Sequence, residues 1–287
     1  MQIIDDIKQM QTLGLEARAA GQTLAFVPTM GYLHSGHLSL LEEGRRRGDR
    51  LALSIFVNPT QFGPHEDLDK YPRDFSRDEA LARSAGVDWL FYPRADDIYP
   101  PDYATYVNVT GGLSEVLEGA CRPGHFQGVA TVVAKLFNIV QPHLALFGQK
   151  DFQQLAVIRR MTDDLNLPVR IVGMPIVREA DGLAMSSRNV YLSTEHRRQS
   201  LAINQALRLA TRKVAEGVTS ASVVLDSARS RLQAEPDLMI DYLKVCNSTT
   251  LQDTAVIDDS ALMLIAVKIG STRLIDNHLL LQSWPGP

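Results

Sequence analysis

A chain of 287 residues, 45% hydrophobic and 22% charged, can bury an ordinary core and is long enough for two domains, which excludes a disordered or low-complexity polymer. A net charge of -4 with a pI near 6.0 points away from nucleic acid, whose binders carry a basic domain or stripe. The two cysteines, Cys121 and Cys246, lack a CxxC spacing, so a zinc or thioredoxin-like site has no support and a reducing compartment is the simpler reading.

In chain order, Met1 to Met10 carries Asp5 and Asp6, read as a solvated face, and lacks a basic start followed by an apolar core, so no secretory leader is predicted. Strands are predicted at Thr23–Val27, Leu51–Val57, Val87–Tyr92, Leu144–Phe147 and Val169–Val172. Helices are predicted between them at Leu38–Arg47, Asp74–Ala85, Val129–Val140 and Asp151–Leu165. Strands alternating with helices imply a parallel sheet wrapped by helices, an α/β Rossmann-like arrangement with ligands beyond the carboxyl ends of the strands. After about Pro175 the texture changes: Arg197–Glu216 and Ser220–Gln233 read as helices, Asp241–Cys246 and Leu262–Lys268 as strands. This places a first domain over 1–175 and a smaller α+β domain over 176–287. The longest apolar run, Ala261–Val267, is far too short to cross a bilayer, so a cytoplasmic protein with no membrane partner is expected.

Four segments fall where chemistry is expected. Val27-Pro28-Thr29-Met30-Gly31-Tyr32-Leu33-His34-Ser35-Gly36-His37 follows a strand and opens a helix. Its glycines permit a tight turn and a close backbone approach, and a helix N-terminus suits phosphate. His34 and His37, three apart, can both face one ligand and donate to phosphate oxygens. Two surface histidines beside a turn is the plainer alternative; a zinc site would want the pair four apart with an intervening Glu. Asn58-Pro59-Thr60-Gln61 sits past the next strand, where neutral amides can bind a hydroxyl or carboxylate or simply form a turn. Gly148-Gln149-Lys150-Asp151 ends a strand and opens a helix, with Asp151 suited to a cap and Lys150 to phosphate charge or to solvent. Asp181-Gly182-Leu183-Ala184-Met185-Ser186-Ser187-Arg188-Asn189 reads equally as a phosphate clamp, since Arg binds two oxygens at once, or as a Ser-rich linker. Glu118 to Gly128, with Arg122 and His125, is a polar loop of either kind, and Cys121 a buried or loop thiol.

Taken in order, P-T-M-G-x-L-H-x-G-H, S-I-F-V-N-P-T-Q-F, R-P-G-H-F-x-G-V, F-G-x-K-D-F-Q-Q-L and D-G-L-A-M-S-S-R-N resemble the pantothenate synthetase family within the H-x-G-H adenylate-forming nucleotidyltransferases. The resemblance runs from about Thr23 to Ser193 and continues more weakly to Arg273-Leu274-Ile275-Asp276-Asn277. It implies a Rossmann-like N-terminal domain, a smaller C-terminal lid domain and a homodimer. It also implies ATP-dependent condensation of pantoate with β-alanine through a pantoyl-adenylate, with magnesium accompanying the nucleotide. Carried over by motif, Met30, Gly31, Tyr32, Leu33, His34, Ser35, Gly36 and His37 would contact ATP, as would Gly148, Gln149, Lys150, Asp151, Val177, Met185, Ser186, Ser187 and Arg188. His34, His37, Lys150 and Arg188 would be catalytic. Gln61, Gln154 and Asn58 would meet pantoate or β-alanine; the metal ligands are not assigned. The family reads G-E-K-D where this chain has Gln149, which keeps open a nucleotide sensor without catalysis, beside a nucleotidyltransferase for another small acceptor.

Overall fold

The computed structural model describes residues 1–64 and 66–284. Six short strands, β1 (Gln2–Ile4), β2 (Leu24–Thr29), β3 (Arg50–Ile55), β4 (Trp89–Phe91), β5 (Leu144–Gly148) and β6 (Arg170–Met174), form one sheet in the order β1-β4-β3-β2-β5-β6. Every pairing in it is parallel. Such strands are buried on both faces and read as continuous apolar runs, as Leu24–Val27 and Leu51–Ile55 do. Alternation sorts their side chains. Leu24 and Phe26 of β2 join Phe137, Val140 and Ile158 in one core, while Ala25 and Val27 join Leu40, Leu41 and Ala82 in another.

Helices α1 (Ile7–Ala19), α2 (Ser35–Arg47), α3 (Phe75–Ser84), α4 (Ala95–Ile98), α5 (Gly112–Glu115), α6 (Glu118–Cys121), α7 (His125–Val140) and α8 (Phe152–Asp164) complete this part. The strand order reverses at β2, with β3 and β4 to one side and β5 and β6 to the other. The β2–β5 crevice is therefore the switch point where such sheets bind ligands. β2 runs into the H-x-G-H segment and β5 ends at Gly148.

The chain divides into two compact units: Met1–Gln149 with Gln153–Pro175, and Lys150–Phe152 with the residues from Ile176 onward. The second unit holds α9 (Thr194–Ala215), α10 (Ala221–Gln233) and an antiparallel sheet of β7 (Leu238–Asn247), β8 (Ala261–Ile269) and β9 (Thr272–Leu279), in that order. Ile203, Ala206, Leu207 and Ala210 recur at helical spacing on α9 and pack with Val224 and Leu232 of α10 and Met263, Ile265 and Val267 of β8. No helix among the described residues is long and apolar enough to cross a membrane.

Six of these elements are not predicted from the sequence: β1, α1, the short helices α4, α5 and α6, and β9. β1 is three residues long, too short to show a period. Helix α1 starts where Asp6 accepts from the Gln9 amide at 2.7 Å, so Asp6, exposed as the solvated-face reading expects, also serves as an N-cap. β9 carries Arg273, Asp276 and Asn277, residue types that strands normally lack.

Helix α7 touches the turn after β3 through Gly128. A Cβ there would lie 2.6 Å from the Thr60 carbonyl carbon and 2.7 Å from the Gln61 nitrogen, inside contact distance and against backbone. Gly128→Ala should cost about 1–3 kcal/mol, read from the midpoint of urea unfolding. A midpoint unchanged from the parent would mean that this contact is looser than the geometry states.

Candidate active site

The loop after β2 is held by one buried carboxylate. Gly31 and Tyr32 both take positive φ, +83° and +50°, a conformation costly for Tyr32. A Cβ on Gly31 would meet Ile55 Cγ2 at 2.9 Å and Asp78 Oδ2 at 3.0 Å. Asp78 of α3, 1% exposed, accepts from the amides of Tyr32 at 2.6 Å and Leu33 at 2.7 Å. Burial pushes its carboxyl above the ordinary range, against the opposing pull of those two N–H groups. The Arg77 guanidinium lies over the Tyr32 ring at 5.0 Å.

Past that loop, His34 is the N-cap of α2. Its Nδ1 accepts from the Gly36 amide at 3.1 Å, and His37 Nδ1 accepts from the His34 amide at 3.3 Å. The rings stack with centroids 4.0 Å apart. Since each Nδ1 is an acceptor, the neutral rings carry their proton on Nε2. Both N–H groups therefore belong to the first turn of a helix, at its positive dipole end. The segment is built in layers: a carboxylate fixes the loop, the loop fixes the cap, and the cap fixes both tautomers.

Beyond β3, Asn58 and Gln61 are 1% and 9% exposed. Asn58 Oδ1 accepts from Tyr99 Oη at 2.9 Å and Thr60 Oγ1 at 3.0 Å. Its Nδ2 donates to Gln61 Oε1 at 3.0 Å and to the Gly128 carbonyl at 3.2 Å. Burial pushes the Tyr99 hydroxyl up to about 12, so it remains a donor at neutral pH. Each amide's polarity follows from the last. Gln61 has its oxygen engaged and turns its Nε2 toward Met30 Sδ at 3.1 Å, as a donor suited to a carboxylate or hydroxyl oxygen.

Arg122 and His125 hold the backbone of Gln61. Arg122 donates to Glu66 at 2.7 and 2.6 Å, to His125 Nε2 at 3.0 Å and to the Gln61 carbonyl at 3.3 Å. Arginine accepts nothing, so His125 Nε2 is the acceptor and its Nδ1–H donates to the same carbonyl at 2.9 Å. Burial, reinforced by Arg122, pushes His125 down to about 4. Burial would raise the Glu66 carboxyl, but its hydrogen bonds to Arg122 hold it below the usual range. Gln153 is buried and ties the α5–α6 region, bonding the Glu118 amide and the Leu113 and Val116 carbonyls. Gln154 follows it on the first turn of α8, half-buried. Cys121 ends α6 and is exposed.

In the second unit, Lys150 lies in the 3₁₀ turn Gln149–Asp151, its Nζ 3.7 Å from Asp151 Oδ1. Asp151 closes this turn and immediately precedes α8, at the helix start where the sequence puts it. Val177 to Met185 folds back as a hairpin: Met185 N donates to Val177 O at 2.9 Å, and Glu179 N to Leu183 O at 2.8 Å. Ser186 Oγ then accepts from the Arg188 amide at 3.3 Å and starts the 3₁₀ turn Ser187–Tyr191. Asn189 Nδ2 donates to Glu179 Oε1 at 2.6 Å and to the Ala184 carbonyl at 3.1 Å. The segment is thus a folded hairpin and turn, not an open linker.

Met30 to His37, Asn58, Gln61, Gly148, Gln149 and Gln154 accordingly lie in the first unit; Lys150, Asp151, Val177 and Met185 to Arg188 lie in the second. Within the first unit, Met30, Asn58 and Gln61 come together, as do His34 and His37. Sequence reasoning missed Asp78 and Tyr99. Asp78 did leave a signal, an acidic residue one turn before Ala82 on the buried face of α3. Among the described residues no group of three or more His, Cys, Asp or Glu side chains gathers as a metal-ligand set.

Known proteins give the arrangement a context. A family model described as pantoate-beta-alanine ligase matches residues 2–279. The pantothenate synthetase of Syntrophotalea carbinolica is 59% identical over 282 residues, 98% of this chain and 99% of the relative. That of Geotalea uraniireducens is 56% identical over 280 residues, 98% and 99% of the two chains. The crystal structure of pantothenate synthetase from Thermus thermophilus superposes with a TM-score of 0.92 at 46% identity, covering 98% of this chain and 99% of that one. A pantoate-beta-alanine ligase from Francisella tularensis, solved complexed with beta-gamma ATP and beta-alanine, gives 0.82 at 32% identity over 99% of both chains.

The Glu66–Arg122–His125 group sets a pH dependence. An unfolded chain takes up a proton on His125 near the ordinary 6.5, the folded one only near 4. Between those values the unfolded state binds more protons, so this contribution to stability is complete above pH 6.5 and is lost as the pH falls toward 4. The loss amounts to about 3 kcal/mol at most. His125→Gln should flatten the fall in unfolding free energy between pH 6.5 and 4, measured by urea titration. Parallel curves for parent and variant would show that His125 is not held neutral.

Proposed function

The chain belongs to the pantoate-beta-alanine ligase family, and from that membership we infer that it condenses (R)-pantoate with β-alanine at the expense of ATP. The products are pantothenate, AMP and pyrophosphate, with a pantoyl-adenylate between the two half-reactions. The observation that carries the reading is the first turn of α2, at the switch point of the sheet, where backbone amides engage the Nδ1 atoms of both His34 and His37 and so set each neutral ring as an Nε2–H donor, the polarity a phosphate oxygen calls for. A reaction at phosphorus needs positioning and charge stabilisation more than it needs covalent chemistry from the protein.

In the proposed first step a pantoate carboxylate oxygen bonds to the α-phosphorus while the bond to the bridging oxygen breaks, and pyrophosphate leaves with that electron pair. Met30 to His37, Gly148 to Asp151, Val177 and Met185 to Arg188 are the proposed ATP contacts. His34, His37, Lys150 and Arg188 are the groups proposed to offset the charge that builds on phosphate oxygens. Gln61, Asn58 and Gln154 are proposed for pantoate and β-alanine, and the donor polarity of Gln61 suits a carboxylate or hydroxyl oxygen. In the second step the β-alanine amine bonds to the acyl carbon, AMP departs with the electron pair of the broken C–O bond, and the ammonium loses a proton. No acyl-enzyme is needed, because AMP is already the leaving group.

The described residues offer no carboxylate cage for magnesium, so no step is derived through a protein-held metal. In this reading Mg²⁺ is carried by the nucleotide's own phosphates, as it commonly is. A homodimer and a cytoplasmic setting are part of the same proposal and rest on the family resemblance; sedimentation of the purified protein reads the first.

With Mg²⁺ and ATP but no β-alanine, pantoate should drive exchange of labelled pyrophosphate into ATP, and adding β-alanine should release AMP. Folded, ATP-binding protein that shows no pantoate-dependent exchange would sink the adenylate mechanism. Lys150→Ala should slow single-turnover adenylation by about 10²–10³; a near-parental rate would remove Lys150 from the charge-stabilising set.

A further inference from the structure

The motif Arg273-Leu274-Ile275-Asp276-Asn277 on β9 has no role in the reaction as proposed, yet it puts two consecutive polar residues into the interior. Asp276 is 3% and Asn277 5% exposed. Burying a carboxylate and an amide costs stability unless directional bonds answer them. Successive strand residues face opposite sides of the sheet, so the two can reach different segments.

Asp276 binds Arg178 through both carboxylate oxygens, at 2.6 and 3.0 Å. Arg178 stands on the Val177–Met185 hairpin, donates also to the Gly182 carbonyl at 3.2 Å and lies under the Trp284 ring at 4.8 Å. Oδ1 of Asp276 in addition accepts from the Asn277 amide at 2.8 Å. Asn277 Nδ2 donates to the backbone carbonyl of Lys150 at 2.9 Å. One strand of the second unit therefore binds the turn that carries Lys150 and the hairpin that leads into Ser186–Arg188. Apolar packing could hold these segments near each other, but it is non-directional. A two-point carboxylate–guanidinium pair and an amide–carbonyl bond fix position and angle.

We propose that Asp276 and Asn277 are positioning residues for adenylation, which hold the Lys150 turn and the Val177–Arg188 hairpin at a set separation. The proposal rests on the role given above to Lys150 and Arg188. Asn277 acts through the Lys150 backbone and touches no substrate; Asp276 acts through Arg178.

The test is a double-mutant cycle on the full chain, read by single-turnover pyrophosphate release with ATP, Mg²⁺ and pantoate. Asn277→Ala should slow release by about 10- to 100-fold, the scale of a small misplacement of a reacting group. In the Lys150→Ala background the same change should cost less than about twofold, because the residue through which it acts is gone. Losses that multiply in the double variant would make Asn277 merely structural and overturn the proposal, as would a parental rate in Asn277→Ala. Should Asn277→Ala fail to fold by circular dichroism, Asn277→Ser serves in its place, since its shorter side chain does not reach the Lys150 carbonyl. A Lys150→Ala protein with parental adenylation is a separate outcome: it would remove the role of Lys150 itself, and with it the basis of this proposal.

Discussion

The carboxylate of Asp78 is the constraint on which the H-x-G-H loop depends. Gly31 and Tyr32 sit in backbone conformations that an unsupported loop would leave. A buried acceptor that takes the amides of Tyr32 and Leu33 together keeps them there. Everything downstream inherits that geometry. Because Leu33 is fixed, His34 falls at the N-cap; because His34 caps, its Nδ1 is occupied; because His37 answers the His34 amide, its Nδ1 is occupied too. The Nε2 of each neutral ring is therefore the N–H. A loop that merely contained two histidines would present them in either tautomer.

The neighbouring Asn58–Gln61 cluster, proposed to meet pantoate and β-alanine, obeys the same logic with uncharged groups. Tyr99 donates to Asn58, Asn58 donates to Gln61, and Gln61 is left as a donor. Charges stand one layer back, where they cancel. The guanidinium of Arg122 is matched by Glu66, and His125 on its other side stays neutral while gripping the Gln61 carbonyl. Preorganised neutral dipoles need little rearrangement when substrate charge arrives, and they do not compete with it for protons. The tight approach of Gly128 to Thr60 and Gln61 belongs to the same design, since a side chain there would push the backbone of Thr60 and Gln61 out of place.

Much of this is legible in the residues, and the rest is hidden for physical reasons. The parallel sheet announces itself because strands buried on both faces are largely apolar runs bounded by Pro or Asn-Pro, as at Thr23–Val27 and at Leu51–Val57, where Ser54 alone is polar. The apolar pattern puts the start of α2 at Leu38, yet the helix begins at Ser35: histidine is not a usual cap, and only the fold shows its Nδ1 taking an amide. β9 escapes a sequence reading because its polar residues look like a loop until their partners, Arg178 and Lys150, are seen across about a hundred residues of chain. The motifs of the candidate site stand out as strings of residue types. What no string can give is polarity: which nitrogen of His125 is protonated, which way Asn58 points, and that Arg122 serves Gln61. Those follow from partners far apart in sequence.

Gln149 poses the same question of support for Lys150. Where the family carries Glu, this chain carries a neutral amide, one negative charge fewer beside a turn proposed to meet ATP. Lys150 has a carboxylate close by, Asp151 Oδ1, 3.7 Å from its Nζ, and its backbone carbonyl is held by Asn277. The two things a lysine of this kind needs, a nearby counter-charge and a fixed backbone, are therefore supplied from positions 151 and 277. A Glu at 149 would add a second anion next to the nucleotide's phosphates, where like charges repel. On the proposed function the substitution is thus compatible with catalysis, because other residues already support Lys150.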